Sequence, residues 1–295
     1  MESINLSKLV LSNHFLELLA EENIHFDGIF SDNKELSEAT EVKRIDQHLE
    51  SFFSWLDKNS HILLILDKLW IEDIFSYIQW FSSICVLSAH SWLASFSKKF
   101  HPEIEHVWEL HEKITILFPW DLEDFIKGLQ KEGNIFIPLS NQEVPENIYA
   151  SSSDEESWVQ FIDKSLIDKK NILSLLSPEK AEICLIGMGT HFEELVKLSQ
   201  LLATNEARIS LHILNQWDLL FSEEWKELFK DAKRLGIILD QKPHEKLIEH
   251  LEKLWKPIEI ITPCYEKLTS IMAEYQYEQS DFNAIALYER ILELL

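Results

Sequence analysis

The stretch Ile183–Leu202, which reads ICLIGMGTHFEELVKLSQLL, has the clearest structural pattern in the second half of the chain. Its first four residues, Ile183–Ile186, form the kind of short apolar run that is typical of a strand buried on both faces. Gly187 and Gly189 then mark a turn. From Phe192–Leu202 the apolar residues recur every three or four positions, which indicates an amphipathic helix. A strand, a glycine turn and a helix in succession predict the repeating unit of a parallel α/β sheet.

The apolar pattern on both sides of this stretch repeats the alternation of strands and helices. Helical spacing dominates the first 56 residues, and short apolar runs separated by helical segments follow it. Such alternation predicts parallel sheets with helices on their faces. The predicted elements are helices at 9–19, 45–56, 122–130, 192–202, 223–234, 245–254 and 282–294, and strands at 61–66, 84–89, 114–118, 134–138, 183–186, 209–214, 236–239 and 258–261.

A segment with a weaker pattern separates two domains. Pro145, Pro178 and the serine-rich acidic run at 151–156 interrupt the periodicity, as is typical of a connection between domains. We therefore predict an α/β protein of two consecutive domains, each a parallel sheet between layers of helices. The first domain takes residues 1–145, the linker 146–180 and the second domain 181–295.

Composition excludes several classes of partner. The chain of 295 residues carries a formal net charge of −24, which argues against nucleic acid or an anionic membrane, because both bind basic surfaces. The apolar runs are far shorter than the roughly 20 residues of a membrane helix. The three cysteines, Cys85, Cys184 and Cys264, lie far apart and predict thiols in a reducing, cytoplasmic environment.

Glycine is scarce in this chain. Average usage of roughly 7% would give about 20 glycines, whereas the sequence contains 6. Sites for phosphorylated cofactors use glycine where the backbone approaches the ligand closely or adopts positive φ. The composition therefore disfavours a phosphate-binding loop, and no combination of histidine, cysteine and acidic residues has the spacing of a metal site.

Several strings resemble the C-terminal half of transketolase-type, thiamine-diphosphate-dependent enzymes. The stretch Ile183–Leu202 is similar to the first strand, turn and helix of the family's C-terminal domain, and the strings ISLHILNQWDLL from Ile209 and LGIILDQKPH from Leu235 are similar to its next two strands. Upstream, the segment Phe118–Glu146 resembles the end of the family's pyrimidine-binding domain. More weakly, RIDQHLESFFSWL from Arg44 resembles the helix of that domain that carries the family's cofactor-activating glutamate. The β-subunits of 2-oxoacid dehydrogenases share this two-domain plan.

The resemblance implies where cofactor chemistry would have to come from. In this family a separate diphosphate-binding domain supplies a Gly-Asp-Gly motif for Mg²⁺, and no Gly-Asp-Gly occurs in this sequence. Thiamine diphosphate carries the carbanion chemistry, while the protein orients it. The chain alone is therefore expected to bind no cofactor, and thiamine diphosphate with Mg²⁺ would enter only a complex with a partner subunit.

The resemblance also assigns candidate site residues. Asp46 falls at the position of the family's cofactor-activating glutamate, and Glu50, one helical turn later, is the alternative; both also suit the solvent-facing side of an amphipathic helix. His90 and His101 fall where family members place histidines that face substrate or cofactor, or they are retained structural histidines. Between them the family's glycine-rich stretch is replaced by the bulky residues of 92–100.

Three functional interpretations remain open at this stage. The first is a degenerate transketolase-like subunit that has lost catalysis and acts in regulation or assembly. The second is an active small subunit of a split transketolase or 2-oxoacid dehydrogenase, in which ketol transfer requires the partner chain. The third is an α/β binding module unrelated to thiamine. The first two predict a homodimer, or a heterodimer with a diphosphate-binding subunit, because domains of this family associate through large apolar faces.

Overall fold

The computed structural model describes residues 3–39, 42–45, 48–67, 71–89, 114–139, 143–145, 172–178, 180–204, 208–221, 232–238, 249, 251–253, 258–261 and 284–294. The chain forms two compact units, one built from Glu2–Trp92 and Glu109–Glu146 and the other mainly from Asn147–Leu295. No helix among the described residues is long and apolar enough to cross a bilayer. The bounds of the two domains and of the linker at 146–180 stay a prediction.

The first unit contains a six-stranded parallel sheet and a two-stranded antiparallel sheet. The strands are β1 Ser3–Asn5, β2 Gly28–Ser31, β3 Lys43–Arg44, β4 His61–Leu66, β5 Ser83–Ser88, β6 Thr115–Ile116, β7 Asn134–Pro138 and β8 Glu143–Pro145, and the helices are α1 Leu6–Val10, α2 Asn13–Glu21, α3 Lys34–Ala39, α4 Leu49–Trp55, α5 Ile71–Ile78 and α6 Leu122–Leu129. The order in the parallel sheet is β3-β2-β4-β5-β7-β6, and the antiparallel sheet joins β1 to β8.

Local sequence explains the central elements of this unit. In β4 every residue after His61 is buried, as expected of a strand covered on both faces. Helix α6 begins at an aspartate cap, because the Asp121 side chain accepts a hydrogen bond from the Asp124 amide at 2.6 Å. Phe125 and Leu129, four residues apart on α6, are both fully buried. The apolar face of the helix therefore packs into the core beside the sheet.

Strand β2 differs from the mainly helical pattern predicted for the first 56 residues. Gly28–Ser31 pairs in parallel with both β3 and β4 and so lies inside the sheet. The strand has only four residues, and its first two are only partly buried. A run this short gives too few positions for a period of two to stand out, so the pattern did not reveal it.

The second unit contains a five-stranded sheet with helices. Its elements are β9 Ile172–Leu176, β10 Ile183–Met188, β11 Ile209–Leu214, β12 Arg234–Ile238, β13 Ile258–Ile261, α7 Phe192–Ala203 and α8 Ala284–Leu294. The strand order is β13-β12-β10-β11-β9; β9 is antiparallel to β11, and the other neighbours are parallel. Strand β9 lies within the segment 146–180 that the sequence assigned to the linker.

Helix α7 packs directly on strand β10 at Gly187. A Cβ atom placed at Gly187 would lie 2.4 Å from Leu195 Cδ1, well inside van der Waals contact. The same helix anchors α8, because Glu194 Oε2 accepts a hydrogen bond from the Ala284 amide at 2.9 Å. Gly187 lies inside strand β10 and not in the turn that the sequence predicted, and its missing side chain permits the close approach of helix and strand.

Candidate functional site

The order of strands in the first sheet identifies the edge where a ligand would bind. The chain passes from β2 to β3 on one side and then returns to β4 on the other side of β2. In open parallel sheets, ligands bind outside the carboxyl ends of the strands at the point where the order reverses. The residues that follow β2 and β4 therefore form the first candidate site.

A group of four polar residues occupies this position, and we call it the switch-point cluster: Ser31, Asp32, Asn33 and Asp67. Asn33 Nδ2 donates a hydrogen bond to Asp67 Oδ2 at 2.9 Å. In return the Asp67 amide donates to Asp32 Oδ1 at 2.6 Å. The ends of β2 and β4, which are 34 to 35 residues apart in sequence, are thus joined by two reciprocal hydrogen bonds.

The rest of the cluster is fixed to the backbone around it. Ser31, which is fully buried, donates from Oγ to the Ile65 carbonyl at 2.8 Å and accepts from the Asn33 amide at 3.1 Å. Asn33 Oδ1 accepts from the Leu36 amide at 2.8 Å, which caps helix α3. In each of these hydrogen bonds a side chain of the cluster bonds to another group of the protein. We infer that the cluster stabilises this edge of the sheet.

The sheet brings two of the predicted site segments to the same edge. The Ile45 amide donates to the Ser31 carbonyl at 2.8 Å, and the Ala89 amide donates to the Leu66 carbonyl at 2.8 Å. Asp46 follows Ile45 and His90 follows Ala89 in the sequence. Asp46, His90 and His101 themselves lie outside the described residues, so their assignment stays a prediction.

Glu50 is the predicted site residue that the structure describes. It lies in the first turn of α4 and is exposed to solvent. Within the described part of the chain, its carboxylate makes no hydrogen bond or ion pair. This position agrees with the solvent-facing alternative for Glu50, and its assignment to the cofactor-activating role stays a prediction.

Helix α4 packs through aromatic residues. Phe53 is fully buried and stacks on Tyr77 of α5, with ring centroids 4.7 Å apart and planes 8° apart. Tyr77 in turn meets Trp80 edge to face at 5.2 Å. Trp55, two residues after Phe53, is 86% exposed. The aromatic side chains of this region therefore contribute both to core packing and to exposed surface.

His212 and Ser174 are two buried polar residues of the second unit that contact each other across neighbouring strands. His212 of β11 lies 2.8 Å from Ser174 Oγ of β9, measured to Nδ1. Burial lowers the pKa of His212 to about 4, so the ring is neutral at physiological pH. Burial also raises the pKa of the Cys184 thiol to about 12, although a hydrogen bond with Ser210 opposes the shift. A thiol with such a pKa is a poor nucleophile.

The described residues do not fit a metal centre. No group of three or more histidine, cysteine, aspartate or glutamate side chains in the described ranges converges on a point where a cation could be held. The Mg²⁺ ion that accompanies thiamine diphosphate has no ligand set among them. We therefore derive no catalytic step through that cofactor from this chain alone.

Sequence reasoning did not single out the switch-point cluster. The signal available was a pair of polar residues, Asp32 and Asn33, directly after one strand, and Asp67 directly after another. The second strand was predicted, but the first was not, so the two loops were not recognised as neighbours. Once β2 is placed beside β4, the cluster follows from the rule that parallel strands end at the same edge.

No protein-family model matches the sequence, and no curated protein does either. Solved structures are similar to it. A chain of a split-gene transketolase in an inactive β4 tetramer is 11% identical, with a TM-score of 0.61, over 97% of this chain and 97% of that chain. The transketolase of Campylobacter jejuni is 13% identical with a TM-score of 0.61, and a transketolase variant from Pichia stipitis is 12% identical with a TM-score of 0.58.

These similarities confirm the predicted fold. This chain is covered almost completely in all three comparisons, but it spans only 46% of the Campylobacter and Pichia chains. It spans nearly all of the split-gene chain. The two α/β units therefore have the fold of a transketolase part that, in one solved structure, exists as a separate chain.

Proposed function

We propose that this chain is a transketolase-like subunit that supplies no diphosphate-binding motif of its own, and that it acts in assembly or regulation rather than as a catalyst. One observation carries the proposal: the split-gene transketolase chain and this chain each cover 97% of the other. That structure is described as an inactive tetramer of β chains. A split-gene chain of nearly the same extent therefore occurs on this fold, in a structure described as inactive.

The sequence and the described residues support the loss of catalysis. The chain has 6 glycines in all, and bulky residues at 92–100 stand where the family has a glycine-rich stretch. At the switch point, Asn33 and Asp67 bond to each other. Aspartate at position 46 is one methylene shorter than the family's glutamate, and a displacement of about 1 Å costs on the order of 100-fold in rate.

The partner we propose is a second copy of this chain or a subunit that carries the diphosphate-binding domain. Oligomers of soluble proteins are mostly closed and symmetric, and the similar split-gene structure is a tetramer. The net charge of −24 favours protein partners over nucleic acid or an anionic membrane. Cys85 and Cys184 are buried free thiols, which supports a cytoplasmic location.

A second candidate is an active small subunit that completes its site with a partner chain. It is favoured by the way β3 and β5 bring the residues before Asp46 and His90 to one edge of the sheet. In that case Asp46 or Glu50 would supply the carboxylate, His90 and His101 would face the substrate, and the partner would hold Mg²⁺. The reaction would be ketol transfer or the related step of a 2-oxoacid dehydrogenase.

Calorimetric titration with thiamine diphosphate and Mg²⁺ separates the two candidates. The protein is titrated first alone and then after mixing with a candidate diphosphate-domain subunit, while light scattering reports the mass of the species. A stable complex with no cofactor binding and no ketol transfer is the result expected. Binding and turnover only in the mixture would establish the active subunit, and Asp46→Ala and Glu50→Ala would then identify the carboxylate.

A monomer at micromolar concentration that forms no complex in the mixture would overturn both candidates. Such a result would not change the assignment of the fold, but it would favour the third interpretation, an α/β binding module unrelated to thiamine. Because assembly and cofactor binding are measured separately, each of the two properties can fail without obscuring the other.

A further inference from the structure

We draw no further inference here: the strongest candidate, the exposed aromatic surface of Trp55 and Trp80 near the ends of helices α4 and α5, carries nothing because the described part of the chain shows neither what covers it nor a charge pattern that selects a partner.

Discussion

Asn33 and Asp67 join the carboxyl ends of strands β2 and β4 through a hydrogen bond of 2.9 Å. Asn33 has a second task, since its Oδ1 atom caps helix α3 at the Leu36 amide. The Asn33 side chain therefore links the start of helix α3 to the residue that follows strand β4. A hydrogen bond to a carboxylate is worth more than one between neutral groups, because the charge strengthens it.

Replacing Asn33 with alanine is expected to destabilise the first unit. The change removes a helix cap and a hydrogen bond to a charged group, which together contribute about 1–3 kcal/mol. Urea denaturation followed by circular dichroism measures the free energy of unfolding. Asn59→Ala is the matched control, since Asn59 is exposed and bonds through its backbone amide. Equal stability of the two variants would contradict the role of Asn33.

Replacing Gly187 with alanine is expected to separate helix α7 from strand β10. The new Cβ would lie 2.4 Å from Leu195 Cδ1 and 2.9 Å from its Cδ2, and Leu195 is fully buried. Overpacking of this kind costs about 1–3 kcal/mol. The measurement is the unfolding free energy of Gly187→Ala, Leu195→Ala and the double variant. The double variant should lose less than the sum of the single losses, because the clash disappears with the leucine; strict additivity would speak against the contact.

Because the buried ring of His212 is neutral, the free energy of unfolding is expected to decrease as the pH falls. The pKa of His212 is about 4 in the folded protein and about 6.5 in an unfolded chain. Between these values the unfolded chain binds the additional proton, so the stability of the folded state declines as the pH falls from about 6.5 to about 4 and levels off below. The loss from this group is on the order of 3 kcal/mol.

Comparison with His212→Gln isolates this contribution from those of the many carboxylates. Urea denaturation of both proteins at several pH values between 4 and 7 gives the difference in unfolding free energy. That difference should shrink as the pH falls, since only the native sequence loses the histidine contribution. Two parallel curves over this range would show that His212 takes up its proton equally in both states.

Truncation of two aromatic residues of helix α4 is expected to change stability by very different amounts. Phe53 is fully buried against Tyr77, so Phe53→Ala should cost about 3–5 kcal/mol. Trp55 is 86% exposed, and its truncation should change the stability of the monomeric unit by less than about 0.5 kcal/mol. Thermal unfolding at low protein concentration compares them. A large loss for Trp55→Ala under these conditions would mean that its side chain is covered in the folded protein.

The apolar runs made much of the fold predictable. Strands β4, β7, β11 and β13 have the bounds 61–66, 134–138, 209–214 and 258–261 expected from the sequence. Their residues form short, mainly apolar runs rich in β-branched residues, which are typical of buried strands. Helix α7 also begins at the predicted Phe192 and ends one residue beyond the predicted end, because its apolar spacing is regular.

The switch-point cluster was not predictable in the same way. Gly28–Ser31 is short and partly exposed, so its strand gives almost no periodic signal. Asp32 and Asn33 then read as ordinary turn residues. Their partner Asp67 is some 35 residues away, and only the pairing of β2 with β4 makes them neighbours. Information of this kind resides in the topology of the sheet and not in any local run of residues.

Strand β9 determines where the second unit can be separated from the rest of the chain. In the antiparallel pairing of β9 with β11, Leu173 lies opposite Ile213 and Ser174 lies opposite His212. Strand β9 ends before residue 181, where the sequence pattern places the start of the second domain. A fragment that begins at residue 181 would leave one side of β11 with open backbone donors and acceptors, which invite aggregation. A fragment that begins before Ile172 would keep that side closed. The pairing of β9 with β11 has a consequence for folding as well. The sheet is complete only when β9, which precedes all of the parallel strands in the chain, has joined it.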